Sequence, residues 1–245
     1  MRTISEIVKH LLIINGIFFL ASQLLGSVMY DWFSLHYFDN PKFQPWQLFT
    51  HMFMHGGFSH IFFNMFGLYM FGTPLEQMWG RTKFVFFYIS TGIGAALLQV
   101  LLYYFQVQSG IEMLQELGLD ASAITTFFQT TYLPVGVLEQ ADMGVLRESY
   151  QSYSAVLVGA SGALYGVLVA FAMMFPNAQL MLLFPPIPIR AKYLVPLLIV
   201  ADLFFGFSSY SVGPIAHFAH VGGALTGLFM MWYWKRNQFN DNRWN

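Results

Sequence analysis

The feature that most constrains this chain is a series of long apolar stretches that carry almost no charge. A helix needs roughly 20 apolar residues to cross the hydrocarbon core of a bilayer. Six stretches approach that length, at residues 8–29, 57–77, 84–106, 155–175, 193–208 and 217–234. They predict an all-α, polytopic membrane protein, built as a bundle of six transmembrane helices. The first stretch is long enough to span, so we expect it to stay rather than be removed as a signal peptide.

The composition excludes most other classes of protein. Charged residues make up 9% of the chain and hydrophobic residues 56%, whereas a soluble domain carries about 25% charged residues. So few charges would not cover the surface of an ordinary soluble enzyme. A net charge of -1 creates no field that attracts a polyanion, so we expect no nucleic-acid partner. The lack of cysteine excludes disulfides, thiolate zinc sites and cysteine nucleophiles.

Basic residues indicate how the predicted helices are oriented, because Lys and Arg collect on the cytoplasmic side of membrane proteins. With the N-terminus inside, nine of the eleven basic residues fall on that side, and they are Arg2, Lys9, Arg81, Lys83, Arg190, Lys192, Lys235, Arg236 and Arg243. Lys42 and Arg147 fall outside. This distribution predicts an integral multi-pass protein with six spans and both termini in the cytoplasm.

Two predicted outer segments differ from ordinary loops. Residues 30–56 hold nine aromatic side chains, which predicts a first loop partly embedded in the membrane interface. Residues 107–154 form a long polar segment between spans 3 and 4, with six acidic residues against Arg147 alone. We interpret it as a solvated extracytoplasmic loop in which Ile111 to Leu117 form a short amphipathic helix. A lid, a docking surface and a dimer contact are the alternatives.

Polar side chains within a membrane span are costly, and we treat them as functional candidates. They lie in the outer parts of spans 2, 4 and 6. In span 2, His60 and Asn64 are four residues apart and share one helical face. In span 4, Ser161 lies near the start of the helix, where free backbone N–H groups can stabilise an anion. In span 6, His220 lies about one turn below the outer end.

Each of these candidates also has a purely structural interpretation. The polar residues of span 2 could join helices by hydrogen bonds, and the small residues of spans 4 and 6 could serve tight packing. His51, His55 and His60 are close enough in sequence for a zinc site, although they lack the His-Glu-x-x-His pattern of metalloproteases. However, spans 2, 4 and 6 all run from outside to inside, so the candidates lie at one depth. A serine, a histidine base and further donors at one depth predict nucleophilic acyl transfer.

Three motifs carry a resemblance to a known family, and they are Gly159-Ala160-Ser161-Gly162, Ala219-His220-Val221-Gly222-Gly223, and the set His55, His60 and Asn64. In their order, spans and common depth they are similar to the motifs of rhomboid intramembrane serine proteases of the compact six-span bacterial type. The resemblance covers about residues 40–235, and we expect residues 1–245 to form a single domain of that kind. The first loop carries Trp46-Gln47 where many members carry Trp-Arg.

The resemblance implies a catalytic dyad that requires no carboxylate. Ser161 would be the nucleophile and His220 the general base. The side chains of His60 and Asn64, together with the backbone N–H of Ser161, would donate hydrogen bonds to the oxyanion. Tyr165 would pack against His220 and orient it.

The resemblance also implies the surroundings of the dyad. The supporting motif residues are His55, Gly159, Gly162 and Gly223. Residues 30–56 would be the membrane-embedded first loop, and span 5 would be the gate beside which substrate enters. The implied substrates are single-pass transmembrane proteins that are cut within the lipid bilayer, and no cofactor or metal is implied.

The roles of two carboxylates stay open, and so do two alternative functions of the protein. Asp202 lies inside span 5 and could pair with a hydroxyl, stay protonated, influence the gate or act as a third catalytic member. Glu76, near the inner end of span 2, is interpreted as an ion-pair partner for Arg81 or Lys83. The chain could also be an inactive scaffold that binds transmembrane proteins, which intact Ser161 disfavours. A small-solute transporter would need a polar site at mid-membrane, and the apolar inner halves of spans 2, 4 and 6 disfavour that function.

Overall fold

The computed structural model describes residues 4–181, 187–208 and 215–237 of the chain. Its helices are α1 (Glu6–Leu25), α2 (Ser27–Phe33), α3 (Gln47–Thr50), α4 (Phe58–Gly67), α5 (Thr73–Trp79), α6 (Arg81–Glu116), α7 (Ala121–Thr130), α8 (Val135–Leu138), α9 (Met143–Tyr153), α10 (Ser161–Met174), α11 (Ala191–Phe207) and α12 (His217–Asn237). Two antiparallel ribbons pair β1 (Leu35–His36) with β2 (Val156–Leu157), and β3 (Gln179–Met181) with β4 (Pro188–Arg190). A 3-10 turn lies at His51–Phe53, and a π-helical turn at Leu68–Gly72 joins α4 to α5.

The described residues are mostly helical, which agrees with the predicted all-α class. Two helices, α1 and α6, are long and apolar enough to cross a membrane, by length and composition alone. The apolar α10 has only 14 residues, and a π-helical turn interrupts the helix of predicted span 2. The count of six spans therefore stays a prediction.

Helix α10 lies at the centre of the bundle because small residues let α6 and α12 approach it closely. A Cβ placed on Gly223 of α12 would overlap the carbonyl group of Gly162 in α10. One turn further along, a Cβ on Gly227 would lie 2.8 Å from the Cα of Gly166. These contacts bring the backbones of α10 and α12 together, as small residues do between membrane helices.

Charged residues meet at the end of the bundle where α1 begins and α12 ends. The predicted pairing of Glu76 with Arg81 is wrong, because Arg81 pairs with Glu6 of α1. Glu76 is buried, and its carboxylate accepts hydrogen bonds of 2.9 Å from the backbone N–H groups of Ile7 and Val8. It thereby caps the first turn of α1, where free N–H groups favour a negative charge.

The basic residues of this end also include Lys83, whose Nζ lies 4.3 Å from the centre of the Trp234 ring. The starts of α4, α10 and α12 lie at the opposite end of the bundle. Which of the two ends faces the cytoplasm stays a prediction. Of the basic residues that supported it, Arg2 and Arg243 lie outside the described residues.

The segment between predicted spans 3 and 4 is mostly helical rather than an open loop. The stretch predicted as a short helix, Ile111 to Leu117, is helical to Glu116, but it is the end of the long helix α6 and not a helix of its own. α7, α8 and α9 follow, and we call residues 117–154 the cap. Two of its acidic residues start helices, because Asp120 accepts a hydrogen bond from the N–H of Ala123 at 2.8 Å and Asp142 from that of Gly144 at 2.7 Å. The cap packs on the C-terminal part of α6 around a shared apolar core, which includes Val107 and Leu114 of α6 and Ile124, Phe127, Phe128 and Leu146 of the cap.

The first loop is organised around Gln47, which is fully buried. Its Nε2 donates hydrogen bonds of 2.9 Å to the carbonyls of Asp31 and Lys42. Its Oε1 accepts from the backbone N–H groups of His36 at 3.3 Å and Gln44 at 3.1 Å. All the hydrogen-bonding capacity of this amide is therefore used inside the loop. Gln47 stands where many family members carry arginine, and here an uncharged side chain holds the loop together.

Candidate active site

Ser161 and His220 meet at the outer end of the bundle. Ser161 is the first residue of α10, and His220 lies in the first turn of α12. His220 Nε2 lies 2.9 Å from Ser161 Oγ, although 59 positions separate the two residues in sequence. The approach is possible because Gly223, one turn after His220, leaves room for the backbone of Gly162. A serine hydroxyl can donate its proton to an imidazole at this distance.

Three further side chains surround the His220 ring. Tyr165 stacks on it, with 4.2 Å between ring centres and 9° between ring planes. Asp202 Oδ1 lies 3.1 Å from His220 Nδ1 and 2.6 Å from His217 Nδ1. The Tyr165 side chain also interacts with the Asp202 carboxylate. The sequence offered no single account of Asp202 and no role for His217. A carboxylate near the end of one apolar helix and a histidine at the start of the next could have signalled their pairing.

His60 faces the same site with its Nε2 nitrogen. The backbone N–H of Gly56 donates a 3.4 Å hydrogen bond to His60 Nδ1, so Nδ1 acts as an acceptor. In a neutral imidazole the proton then resides on Nε2. A Cβ placed on Gly159 would lie 2.7 Å from His60 Nε2 and 3.7 Å from Ser161 Oγ. The donor nitrogen of His60 therefore points into the space beside the serine.

Gly159 fits this space for two reasons. Its φ of +120° lies in a region that side-chain-bearing residues rarely adopt, and an added Cβ would collide with His60. Its N–H donates a 2.9 Å hydrogen bond to the carbonyl of His51. The first loop thus fixes the backbone directly before Ser161, and the β1–β2 ribbon holds residues 156–157 just upstream.

Asn64 and His55 complete the set of predicted residues. Asn64 is 4% exposed, and its Nδ2 donates one hydrogen bond of 2.9 Å to the carbonyl of His60. An amide nitrogen carries two protons, so a second donor stays available. His55 is fully buried, and its ring lies edge-on to His60 with 5.0 Å between centres. Burial, together with the electrostatic effect of the neighbouring His60 ring, lowers the pKa of His55 to about 4. His55 is therefore a neutral packing partner of His60.

The site opens into a cavity of about 1200 Å³. Its lining includes Asn64, Ser161 and His220, and it extends to Glu148 and Ser152 of the cap. The cap therefore forms part of the wall above the site. Polar residues of the wall are linked, since Gln106 Nε2 donates to Glu148 Oε1 at 2.6 Å and Ser152 Oγ donates to Gln106 Oε1 at 2.7 Å.

A metal site was one alternative for the histidines. In the three described ranges, the side chains whose ligand atoms lie within 4.8 Å of one another are those of Asp202, His217 and His220. Two of the distances in this group, 2.6 and 3.1 Å, are hydrogen-bond distances. His51, His55 and His60 do not form such a group. The structure therefore gives the proposed histidine zinc cluster no support.

The chain is similar in sequence to several known proteins. "Rhomboid protein 1, mitochondrial" of Saccharomyces cerevisiae is 28% identical over 183 residues, which are 74% of this chain and 39% of the yeast protein. "Rhomboid protease AarA" of Providencia stuartii is 26% identical over 192 residues, which are 76% of this chain and 54% of AarA. "Rhomboid protease GluP" of Bacillus subtilis is 24% identical over 184 residues, which are 75% of this chain and 25% of GluP.

In each of these comparisons the chain spans little more than half of the relative's length, or less. The family model of the rhomboid domain matches residues 42–237. That range is most of the chain, and it contains His60, Asn64, Ser161 and His220. The family is membrane-embedded, which agrees with the low charge and long apolar helices of this sequence. The chain belongs to the rhomboid family.

Proposed function

We propose that this protein is an intramembrane serine endopeptidase that cleaves transmembrane segments of single-pass membrane proteins near the outer side of the membrane. The observation that carries the proposal is the 2.9 Å contact between His220 Nε2 and Ser161 Oγ within an open cavity. Relatives that are named rhomboid proteases support the same activity. Ser161 is the nucleophile and His220 is the general base.

The first half of the reaction forms an acyl-enzyme. Ser161 Oγ attacks the carbonyl carbon of the scissile peptide bond while its proton moves to His220 Nε2. The carbonyl oxygen becomes an oxyanion, for which three donors are near: His60 Nε2–H, the second N–H of Asn64 Nδ2 and the backbone N–H of Ser161. Donors of this kind are each worth about 3 kcal/mol in other oxyanion holes. His220 then gives its proton to the leaving amine.

The second half needs water. A water molecule loses a proton to His220 Nε2 and attacks the acyl carbon, and Ser161 recovers its proton as the ester bond breaks. The cavity reaches from the dyad to the polar residues of the cap, which gives water a route to the serine. The tight contacts of α10 with α6 and α12 exclude water from the other end of the site.

The membrane arrangement is part of the proposal. We infer six spans with both termini cytoplasmic, a first loop embedded in the interface, and a cap on the outer side. The separation of the inner basic residues from the starts of α4, α10 and α12 supports this orientation. Substrates must expose backbone to Ser161, so helix-breaking residues near the cut should favour cleavage. From the family resemblance we also expect small residues just before the cut.

The proposal predicts that Ser161→Ala abolishes cleavage, because the acyl-enzyme cannot form without the hydroxyl. The measurement is cleavage of a single-pass transmembrane substrate in proteoliposomes, together with labelling of the protein by a serine-reactive fluorophosphonate. The matched control is Ser109→Ala, which removes an exposed hydroxyl on α6 and should leave both signals unchanged. A Ser161→Ala protein that still cuts at the wild-type rate would contradict the dyad. Wild-type protein that neither cuts nor takes label would favour a non-catalytic scaffold.

A further inference from the structure

Asp202 of α11 lies beside the proposed base. Its carboxylate is within hydrogen-bond distance of both His217 and His220, so it is more than a packing residue. We propose that Asp202 is a positioning residue for His220, which holds the imidazole in the tautomer that accepts a proton from Ser161. The proposal rests on the serine protease activity proposed above. It adds a carboxylate from a third helix to a dyad that requires none by resemblance.

The hydrogen bonds define the tautomer. An ionised carboxylate only accepts hydrogen bonds, so His220 Nδ1, 3.1 Å from Asp202 Oδ1, must be the protonated ring nitrogen. In the neutral ring, Nε2 is then left with a free lone pair. That lone pair faces Ser161 Oγ at 2.9 Å. The chain of contacts from Asp202 through His220 to Ser161 therefore directs the serine proton toward Nε2.

Two more side chains keep Asp202 in place. His217 Nδ1 donates to the same Oδ1 at 2.6 Å. Tyr165 interacts with the Asp202 carboxylate while its ring stacks on His220. Tyr165 thus lies against both members of the pair. These partners also satisfy a carboxylate that would be costly in an apolar span.

The negative charge of Asp202 stabilises His220 once the serine proton has moved to it. When the O–H bond of Ser161 breaks and the proton binds Nε2, His220 becomes a cation. The ionised Asp202 lies 3.1 Å from its Nδ1 and stabilises that cation without taking the proton. The proton stays on His220 until the leaving amine receives it. In the described ranges, the ionisable groups that contact Asp202 are His217, His220 and Tyr165.

Because Asp202 is part of α11, its contact with the His220 base depends on how α11 packs against the bundle. The buried residues of α11 are Ala191, Leu194, Val195 and Asp202, and the first three lie in its first half. In the second half, neighbouring apolar residues such as Phe204 and Phe207 are exposed. Asp202 is thus the buried side chain in the outer half of α11, which also meets the start of α12 through ring contacts of Phe205 with His217 and of Phe207 with Phe218. His220 has its carboxylate only while α11 is in this position.

The test compares fluorophosphonate labelling of Ser161 and cleavage of a transmembrane substrate in wild type and Asp202→Asn. Fluorophosphonates are small and need no transmembrane docking, so their rate reports activation of the serine. We expect labelling to slow by about 100-fold or more, since loss of such a carboxylate leaves the base in the wrong tautomer. For the substrate, kcat should fall by a similar factor while KM stays within about twofold, as for an interaction made in the transition state.

Control variants distinguish a role of Asp202 in positioning His220 from a role in the folding of the protein. Asp31→Asn removes an exposed carboxylate paired with Lys42 and should label at the wild-type rate. If Asp202→Asn does not fold, Asp202→Glu and Asp202→Gln are compared instead, because they have the same size and differ in the carboxylate. The Glu variant should label faster than the Gln variant.

The proposal is overturned if Asp202→Asn labels within threefold of wild type, or if the Glu and Gln variants label equally. It is also overturned if only KM changes, which would indicate a role in substrate docking. Failure of the wild-type protein to take label would instead reject the proposed protease activity.

Discussion

Individual residues determine much of the structure at the outer end of this molecule. Gln47 satisfies four backbone groups of the first loop, and Gly159 accepts a backbone conformation that places His60 next to Ser161. Each acts where a polar group would otherwise lie buried without a partner, or where a Cβ would collide. Stability of the loop and geometry of the site therefore depend on residues with no chemical role of their own.

Gln47→Leu should destabilise the protein, because the loop loses four hydrogen bonds. The Gln47 side chain donates two of them and accepts the other two. Each buried polar group left without a partner costs about 1–3 kcal/mol. We expect the Tm in detergent to fall by at least about 5 °C, given roughly 2–4 °C per kcal/mol for a chain of this size. Gln115→Leu, at an exposed position of α6, is the matched control. Equal Tm values for the two variants would mean that the Gln47 hydrogen bonds contribute no net stability.

At the scale of elements, three helices meet at the proposed dyad and each supplies a different group. α10 provides the serine at its first residue, α12 the histidine in its first turn, and α11 the carboxylate near its end. Since α10 and α12 touch through glycines, their spacing is set by backbone atoms rather than by flexible side chains. The 2.9 Å contact between serine and histidine follows from that spacing.

Gly223→Ala should therefore impair activity more than helix propensity suggests. Alanine favours helix over glycine by about 1 kcal/mol, yet its Cβ would overlap the carbonyl of Gly162. α12 must then move away from α10, which lengthens the contact from His220 to Ser161. We expect fluorophosphonate labelling to fall by about tenfold or more, as for small displacements of catalytic groups. Gly16→Ala on α1, which has open space around it, should label normally. Normal labelling of both variants would show that the helices can separate without harm.

At the scale of the whole molecule, stability should depend on pH through two histidines of the first loop. Burial lowers the pKa of His51 to about 4, and burial lowers that of His55 to about 4 as well. In the unfolded chain both have a pKa of about 6.5. Between these values the unfolded chain binds more protons than the folded protein, so acid favours unfolding. The stability is fully present above about pH 6.5 and falls as the pH drops toward 4, by on the order of 3 kcal/mol for each histidine.

Tm values at pH 7.5 and pH 5.0 measure this effect. Wild type should have a clearly lower Tm at pH 5.0, and His51→Gln should show a smaller difference between the two conditions. His10 is exposed near the start of α1, so His10→Gln should keep the full wild-type difference. A difference that is unchanged in His51→Gln would mean that other groups cause the acid sensitivity.

Local sequence patterns predicted much of the fold and of the candidate site. Apolar length located the main helices, and the spacing of the motifs identified Ser161, His220, His60 and Asn64. Other expectations differed from the structure because the deciding contacts are distant in sequence. The acidic segment after α6 folds into helices that share an apolar core with α6, and Glu76 caps the first turn of α1 while Arg81 pairs with Glu6.

The helical class, the family and the candidate dyad follow from apolar length and motif spacing, because these are local properties of the chain. Which groups face His220 depends instead on how the helices pack. Asp202 lies 18 positions from His220 and Ser161 lies 59 positions from it. Whether they meet depends on how closely α10, α11 and α12 approach. Contacts such as Gly223 on Gly162 set that distance, since helix packing is determined by the shapes of both surfaces together.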